Sequence, residues 1–184
     1  MCGIIGIQNN SEAATLAYMG LYAQQHRGQE GAGVVSSDGT VLHRHMGQGL
    51  VADVFSDSAV FDSLIGDSAI GHVRYSTTGN SDPKNVGPLT FNMGDYSLSI
   101  AHNGNLVNID EIRKELQENG TLFQTSTDTE IIIHLLAREK GNTLADKLEK
   151  VLQKIEGAYS LILLSPSEII AARDPHGIRP FCMG

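Results

Sequence analysis

The second residue carries the strongest chemical signal in this chain. Cys2 follows the initiator methionine and leads into Gly3-Ile4-Ile5-Gly6. Removal of Met1 would leave a thiol and a free α-amine on one residue. A thiolate is a good nucleophile, and a neighbouring amine can serve as its base. An α-amine titrates near about 7.7–8.0, so roughly a tenth to a fifth is neutral at pH 7, where a lysine is almost wholly protonated. Proton transfer within one residue would pass through a strained ring, which a bridging water relieves. Two other readings stand beside this one. Cys2 could be a small buried hydrophobe at the start of an apolar strand. It could also pair with His72 or His102 in the manner of a thiol protease, although position 2 would then be a coincidence.

Acyl transfer through a thiol also needs oxyanion donors, a grip on the substrate and exclusion of water. The segment His102-Asn103-Gly104-Asn105 follows a predicted strand. A turn there would aim the Asn103 amide and the Gly104 N–H at one point, glycine allowing the close approach. The alternative is an ordinary Asn-Gly hairpin turn. Arg74 ends a predicted strand at the lip of a long loop, a place suited to bidentate capture of a carboxylate; the alternative is a surface ion pair of little energetic weight. Asp128 falls in the first turn of a capped helix, where the macrodipole alone favours an acid. Its functional alternative is capture of an ammonium. Arg74 and Asp128 together would hold both charges of an amino-acid backbone, but spacing does not show that they meet. His43 and His45 share one strand face without a third ligand at a familiar spacing, so no metal site is expected.

The 184 residues suffice for one domain with a core. Hydrophobic residues make up 41% and charged residues 18%, a globular balance. The formal net charge is -8, with no basic cluster to serve as a nucleic-acid footprint. The two cysteines, Cys2 and Cys182, make neither a disulfide framework nor a C-x-x-C pair. The start lacks the basic region of a signal peptide, and no segment reaches the roughly 20 apolar residues of a membrane span. These features lead to an expectation of a reducing, cytoplasmic setting.

Several elements must position these residues. Ile4 to Gln8 reads as a buried strand. Ser11 is expected to cap a helix over Glu12 to Gln25 with Leu16, Met19, Gly20 and Ala23 on its buried face. Gly31 to Ser37 and Thr40 to Met46 form a hairpin across Asp38-Gly39. Irregular helix is expected over Val51 to Ile65, a strand over Ser68 to Tyr75, a long polar loop over Ser76 to Pro88 and a strand over Ser97 to His102. Three capped helices follow. Asn108 with Glu111 opens the first, a Thr127–Glu130 capping box the second, and Thr143 the third, with Leu144, Leu148, Val151, Leu152 and Ile155 as its apolar stripe. Strands Tyr159 to Leu164 and Glu168 to Arg173 close the chain, joined by Ser165-Pro166-Ser167. This order indicates an α+β fold with antiparallel sheets.

The motifs, taken together, resemble a known family. Met1-Cys2-Gly3-Ile4-Ile5-Gly6 is similar to the start of class II glutamine amidotransferases, which are N-terminal nucleophile hydrolases. Four further segments fit in order: Gln25-His26-Arg27-Gly28-Gln29-Glu30-Gly31-Ala32-Gly33, Gly71-His72-Val73-Arg74-Tyr75-Ser76-Thr77, Ala101 to Asn108, and Ser126-Thr127-Asp128-Thr129-Glu130. The Gln25 to Gly33 segment, and Arg173-Asp174-Pro175-His176-Gly177-Ile178-Arg179-Pro180, resemble the members that supply ammonia for phosphoribosylamine formation in purine synthesis. Sugar-phosphate members usually carry Tyr-Arg-Gly-Tyr-Asp at the first of these places, and asparagine synthetases His-Arg-Gly-Pro-Asp.

The resemblance implies a four-layer α/β/β/α sandwich and a set of roles. Cys2 would be the nucleophile and its freed amine the base. Asn103 and Gly104 would form the oxyanion hole, Arg74 would bind the glutamine α-carboxylate and Asp128 its α-amine. Tyr75 and Thr77 would belong to a glutamine loop, Tyr75 to Pro88, that closes over the substrate. No cofactor is implied for this glutaminase domain, expected to span 1–184. The partner would be a phosphoribosyltransferase half, absent from this chain and dependent on Mg, in an enzyme expected to be a homo-oligomer. The remaining rivals are the glutaminase half of another class II amidotransferase and a catalytically silent domain of the same fold.

Overall fold

In a computed structural model, residues 1–75 and 82–184 are described. In chain order the elements are β1 (Gly3–Ile7), α1 (Ala13–Ala23), β2 (Gly31–Ser37), β3 (Leu42–Gln48), α2 (Val51–Val54), α3 (Val60–Ser63), β4 (Ser68–Arg74), β5 (Leu89–Asn92), β6 (Ser97–Leu106), α4 (Ile109–Glu118), α5 (Asp128–Arg138), α6 (Leu144–Leu152), β7 (Gly157–Leu164) and β8 (Ile169–Arg173). The strands make two four-stranded antiparallel sheets, ordered β1-β4-β2-β3 and β5-β6-β7-β8. A hairpin forms where expected, but β3 starts at Leu42 rather than Thr40, so residues 38–41 and not Asp38-Gly39 alone connect the strands, with Gly39 at a φ of +91° that favours glycine.

Three apolar clusters define the layers. Val35, Ile70, Ala101, Ile162 and Leu164 fill the space between the sheets. Ala13, Ala17 and Leu21 of α1 cover the outer face of the first sheet with Val34 and Val73. Ile132, Leu136, Leu148 and Val151 of α5 and α6 cover the second sheet through Leu98, Ile100 and Leu161. The stack is the expected α/β/β/α sandwich of an α+β fold.

Local details depart from the sequence reading where tertiary packing overrides propensity. No side chain, Ser11 included, caps α1; in the turn before it the Asn10 Oδ1 accepts the Glu12 N–H at 2.9 Å. Its buried face is Ala13, Ala14, Ala17 and Leu21, while Met19 is 58% exposed. The helix lies so close to the sheet that a Cβ at Gly20 would fall 2.1 Å from Ile5 Cδ1. The Thr127–Glu130 capping box does not form. Glu130 is fully buried and instead accepts the Gln124 and Thr125 N–H groups at 2.8 and 2.6 Å, pinning the loop before α5. The Asn108 side chain also leaves its helix, donating to the Lys154 carbonyl and accepting the Glu156 N–H. Thr143 caps α6 as expected, with Asp146 completing a capping box.

Candidate active site

Strand periodicity brings the first group of site residues together. Ile4 and Ile70 pack between the sheets. The two-residue period of a strand therefore carries Cys2, just before β1, and His72 and Arg74 on β4 to that same face. A pocket of about 90 Å³ lies at this end of the molecule, walled by Cys2, His72, Arg74, Tyr75, Gly104 and Asp128 among others.

The second sheet meets this pocket along an open edge. β5 pairs with β6 only from Ser97 to Ile100, whereas β7 pairs with it from Ser99 to Leu106. From Ala101 onward the outer edge of β6 has no strand neighbour among the described residues. The Leu106 N–H points that way and donates to Asp128 Oδ2 at 3.2 Å. Two residues earlier, the Gly104 N–H has the same direction. Gly104 cannot carry a side chain, because a Cβ there would sit 2.1 Å from the Ala158 carbonyl oxygen and 2.5 Å from His102 Nε2. The segment 102–105 is thus strand rather than the expected turn; its ladder to β7 outweighs the turn preference of Asn-Gly. Asn103 is 3% exposed and shares the inter-sheet face with Ala101. Its Oδ1 has no hydrogen-bond partner among the described residues. Gly104, not Asn103, forms part of the pocket wall.

Electrostatics single out the thiol. Burial pushes the Cys2 thiol up, but the charge and hydrogen bond of His72, a backbone hydrogen bond at Tyr75 and the charge of His102 outweigh it and bring the thiol down to about 7. His72 is 6% exposed, and its Nδ1 has no partner among the described residues. Cys2 Sγ lies 3.7 Å from the Tyr75 carbonyl oxygen, and Arg27 Nε donates to the Cys2 carbonyl at 3.1 Å. With Met1 in place the chain's amine belongs to that residue. Burial lowers its pKa, Arg179 and Arg27 lower it further, and the Cys2 thiolate and Glu30 oppose them.

Arg74 and Asp128 do meet at this pocket. Arg74 is largely buried, which removes the surface-pair reading; its Nη1 donates to the Asn85 carbonyl at 3.0 Å and its Nε lies 3.9 Å from Glu30 Oε2. Asp128 Oδ1 lies 3.3 Å from His102 Nδ1, which also contacts Thr129 Oγ1 at 3.2 Å. Burial pushes the Asp128 carboxyl up, but His102 and the Leu106 N–H outweigh it and hold the group below its ordinary value. The macrodipole alone does not explain so specific a set of partners.

Tyr75 stands at the pocket mouth, 52% exposed. Thr77, with the rest of 76–81 in the expected glutamine loop, lies outside the described residues. His43 and His45 are directed elsewhere, to Asp38 Oδ2 and the Val54 carbonyl, each at 2.8 Å. No cluster of three metal-ligating side chains occurs among the described residues. Sequence reasoning missed Asn85 and Ser126, which also line the pocket. A buried asparagine inside a polar loop leaves no signal in composition or periodicity.

Comparison with known proteins places this chain among named relatives. A family model described as a glutamine amidotransferase domain matches residues 72–184. Amidophosphoribosyltransferase 2 of Arabidopsis thaliana is 49% identical over the whole chain, which spans 33% of that protein's length. An amidophosphoribosyltransferase of Lacticaseibacillus casei is 41% identical, and there the match covers all of this chain and 94% of the relative. A solved structure of "the allosteric regulatory enzyme of purine biosynthesis" superposes with a TM-score of 0.92 at 44% identity, covering 98% of this chain and 38% of that one.

Proposed function

Because the chain belongs to the glutamine amidotransferase domain family, we propose that its pocket hydrolyses the side-chain amide of glutamine through a thioester on Cys2. The observation that carries the reading is the convergence, from distant parts of the chain, of a thiol held near 7, a buried guanidinium and a half-buried carboxylate on one small pocket. Arg74 takes the α-carboxylate and Asp128 the α-ammonium, leaving the amide carbon facing Cys2. Sγ attacks that carbon, and its proton passes to the α-amine freed by loss of Met1. The oxyanion is held by the Gly104 N–H and the Asn103 amide. The amine's proton goes to the leaving nitrogen, ammonia departs, and the glutamyl group remains as a thioester. Water then adds to the thioester carbonyl, the thiol leaves, and glutamate is released. Tyr75, at the pocket mouth, is placed to shield these steps from bulk water; by the family resemblance, Thr77 would share in glutamine binding. The glutaminase half-reaction balances with these groups and needs no metal.

The relatives' names support a further step in the reading. The ammonia is used by a phosphoribosyltransferase partner to form phosphoribosylamine for purine synthesis, with Mg as that partner's cofactor. We place the reaction in the cytoplasm, where a thiol stays reduced. Among the described residues, no helix is long and apolar enough to cross a membrane.

The test is steady-state glutamine hydrolysis by three preparations verified by intact mass: processed protein, processed Cys2→Ser, and protein retaining Met1. Processed protein should release ammonia. Cys2→Ser should fall by orders of magnitude, because serine lacks thiolate character. The Met1-bearing form should also be nearly inactive, because an amide nitrogen is no base. Full turnover by Cys2→Ser would sink the assignment; full turnover with Met1 retained would move the base to a histidine.

A further inference from the structure

Asn85 ends the short 3₁₀ turn Pro83–Asn85 and is 3% exposed. It carries no charge and touches no reacting atom, yet its polar groups are all engaged. Its carbonyl accepts from Arg74 Nη1 at 3.0 Å. Its Nδ2 donates to Ser126 Oγ at 3.0 Å, and its Oδ1 accepts the Ser126 N–H at 3.2 Å. Its own N–H donates to the Asp82 carbonyl at 2.9 Å. One residue therefore bridges β4 and the loop that leads into α5. Ser126 lies two positions before Asp128. That loop has no side-chain cap at Thr127; Glu130 holds it from one side, through Gln124 and Thr125, and Asn85 from the other.

We propose that Asn85 is a positioning residue for amino-acid recognition, fixing Arg74 relative to the Asp128 turn so that both charges of one substrate backbone are gripped at once. This rests on the reading of Arg74 and Asp128 given above. The side chain suits the role because an asparagine amide offers a donor and an acceptor in one plane, and Ser126 uses both. Aspartate would lose the donor, and alanine both contacts, leaving the Ser126 N–H without this acceptor. The backbone carbonyl would remain, but without the tie that sets its position under the guanidinium. A substrate bearing both charges would feel the change. A small neutral alkylating agent, which needs neither grip, would not.

The experiment uses the processed, full-length natural protein. KM and kcat for glutamine, and the rate of Cys2 alkylation by iodoacetamide, are measured for wild type, Asn85→Ala, Ser126→Ala, Arg74→Lys and the Asn85→Ala/Arg74→Lys double variant. Asn85→Ala should raise KM by about tenfold or more, the equivalent of one or two buried hydrogen bonds, with kcat and alkylation changed far less. Ser126→Ala should move KM in the same direction by less, since the Oδ1 contact to its N–H survives. The double variant should raise KM by less than the product of the two single effects, because Asn85 acts through Arg74. An unchanged KM in Asn85→Ala, a matching fall in alkylation, or a full multiplicative double effect would each overturn the proposal. Should Asn85→Ala fail to fold, Asn85→Ser and Ser126→Ala carry the same readouts. If Arg74→Lys raises KM and Asn85→Ala does not, only the positioning role falls. If Arg74→Lys itself leaves KM unchanged, the glutamine-grip reading falls and this proposal with it.

Discussion

β4 and β6 both deliver residues to the pocket, but they are built differently. β4 lies inside its sheet, paired with β2 from Ser68 to Arg74 and with β1 from Ala69 to Val73. Its backbone groups are consumed by the ladder, so it can act only through side chains, His72 and Arg74. β6 is flanked by β7 over its second half but loses β5 after Ile100. There the strand has backbone N–H groups to spare. Asp128 takes one, at Leu106, and the Gly104 N–H remains for a ligand. The closed strand places charged side chains that grip. The open strand places fixed dipoles, which need no reorganisation when negative charge develops in a transition state. The two walls should therefore fail in different kinetic ways.

The largest expected effect lies on β6, in the side-chain donor that neighbours the open edge. Asn103→Ala should lower kcat by roughly 10²–10³, the range for one lost oxyanion donor, with KM little changed. A variant that binds glutamine poorly but turns over at full rate would reverse the assignment of binding and chemistry to the two strands. Next comes the closed wall. Arg74→Lys keeps the charge but loses the planar fork, and should raise KM by about tenfold or more while iodoacetamide labelling of Cys2 changes less. A fall in kcat with KM unchanged would place Arg74 with the transition state, and the contrast would collapse. The smallest effect sharpens the picture of the thiol. In protein that retains Met1, alkylation of Cys2 should rise with pH through a midpoint of about 7, because the depressed thiol is protonated below it and thiolate above. His72→Asn removes the first of the groups that lower it, so the midpoint should climb by about one pH unit and labelling at neutral pH should slow. An unmoved midpoint would leave His102 and the Tyr75 backbone as the groups responsible.

The legible parts of this protein were those set by local chemistry. Asp38-Gly39 announces a hairpin because a tight turn needs a residue at positive φ, which Gly39 supplies, although the connection runs to residue 41. Leu144, Leu148 and Val151 announce the buried face of α6 because their spacing leaves them on one side. The less legible parts were those where a neighbour decides. β5 was missed because Leu89–Asn92 is short and exists through pairing with β6. The end of β6 was read as a turn because Asn103-Gly104 is a turn signal. Polarity there serves a pocket, while the β7 ladder supplies the strand. On α1 the rule that large apolar residues go inside misplaced Met19, since contact with β1 at Gly20 favours small residues.

By itself, the sequence determined the identity of the reactive groups. A thiol at position 2, a guanidinium at 74, a carboxylate at 128 and a glycine at 104 are chemical facts that need no coordinates. The tertiary structure decided whether they act on one ligand. It turned Cys2, His72 and Arg74 to one face by strand period, stopped β5 early enough to bare the Gly104 N–H, and tied Arg74 to the Asp128 loop through Asn85. Residue type fixes what a group can donate, accept or attack. Its partners, separated by as many as 126 positions between Cys2 and Asp128, are brought within reach only by burial of the two sheets against each other, and that packing is a property of the whole fold.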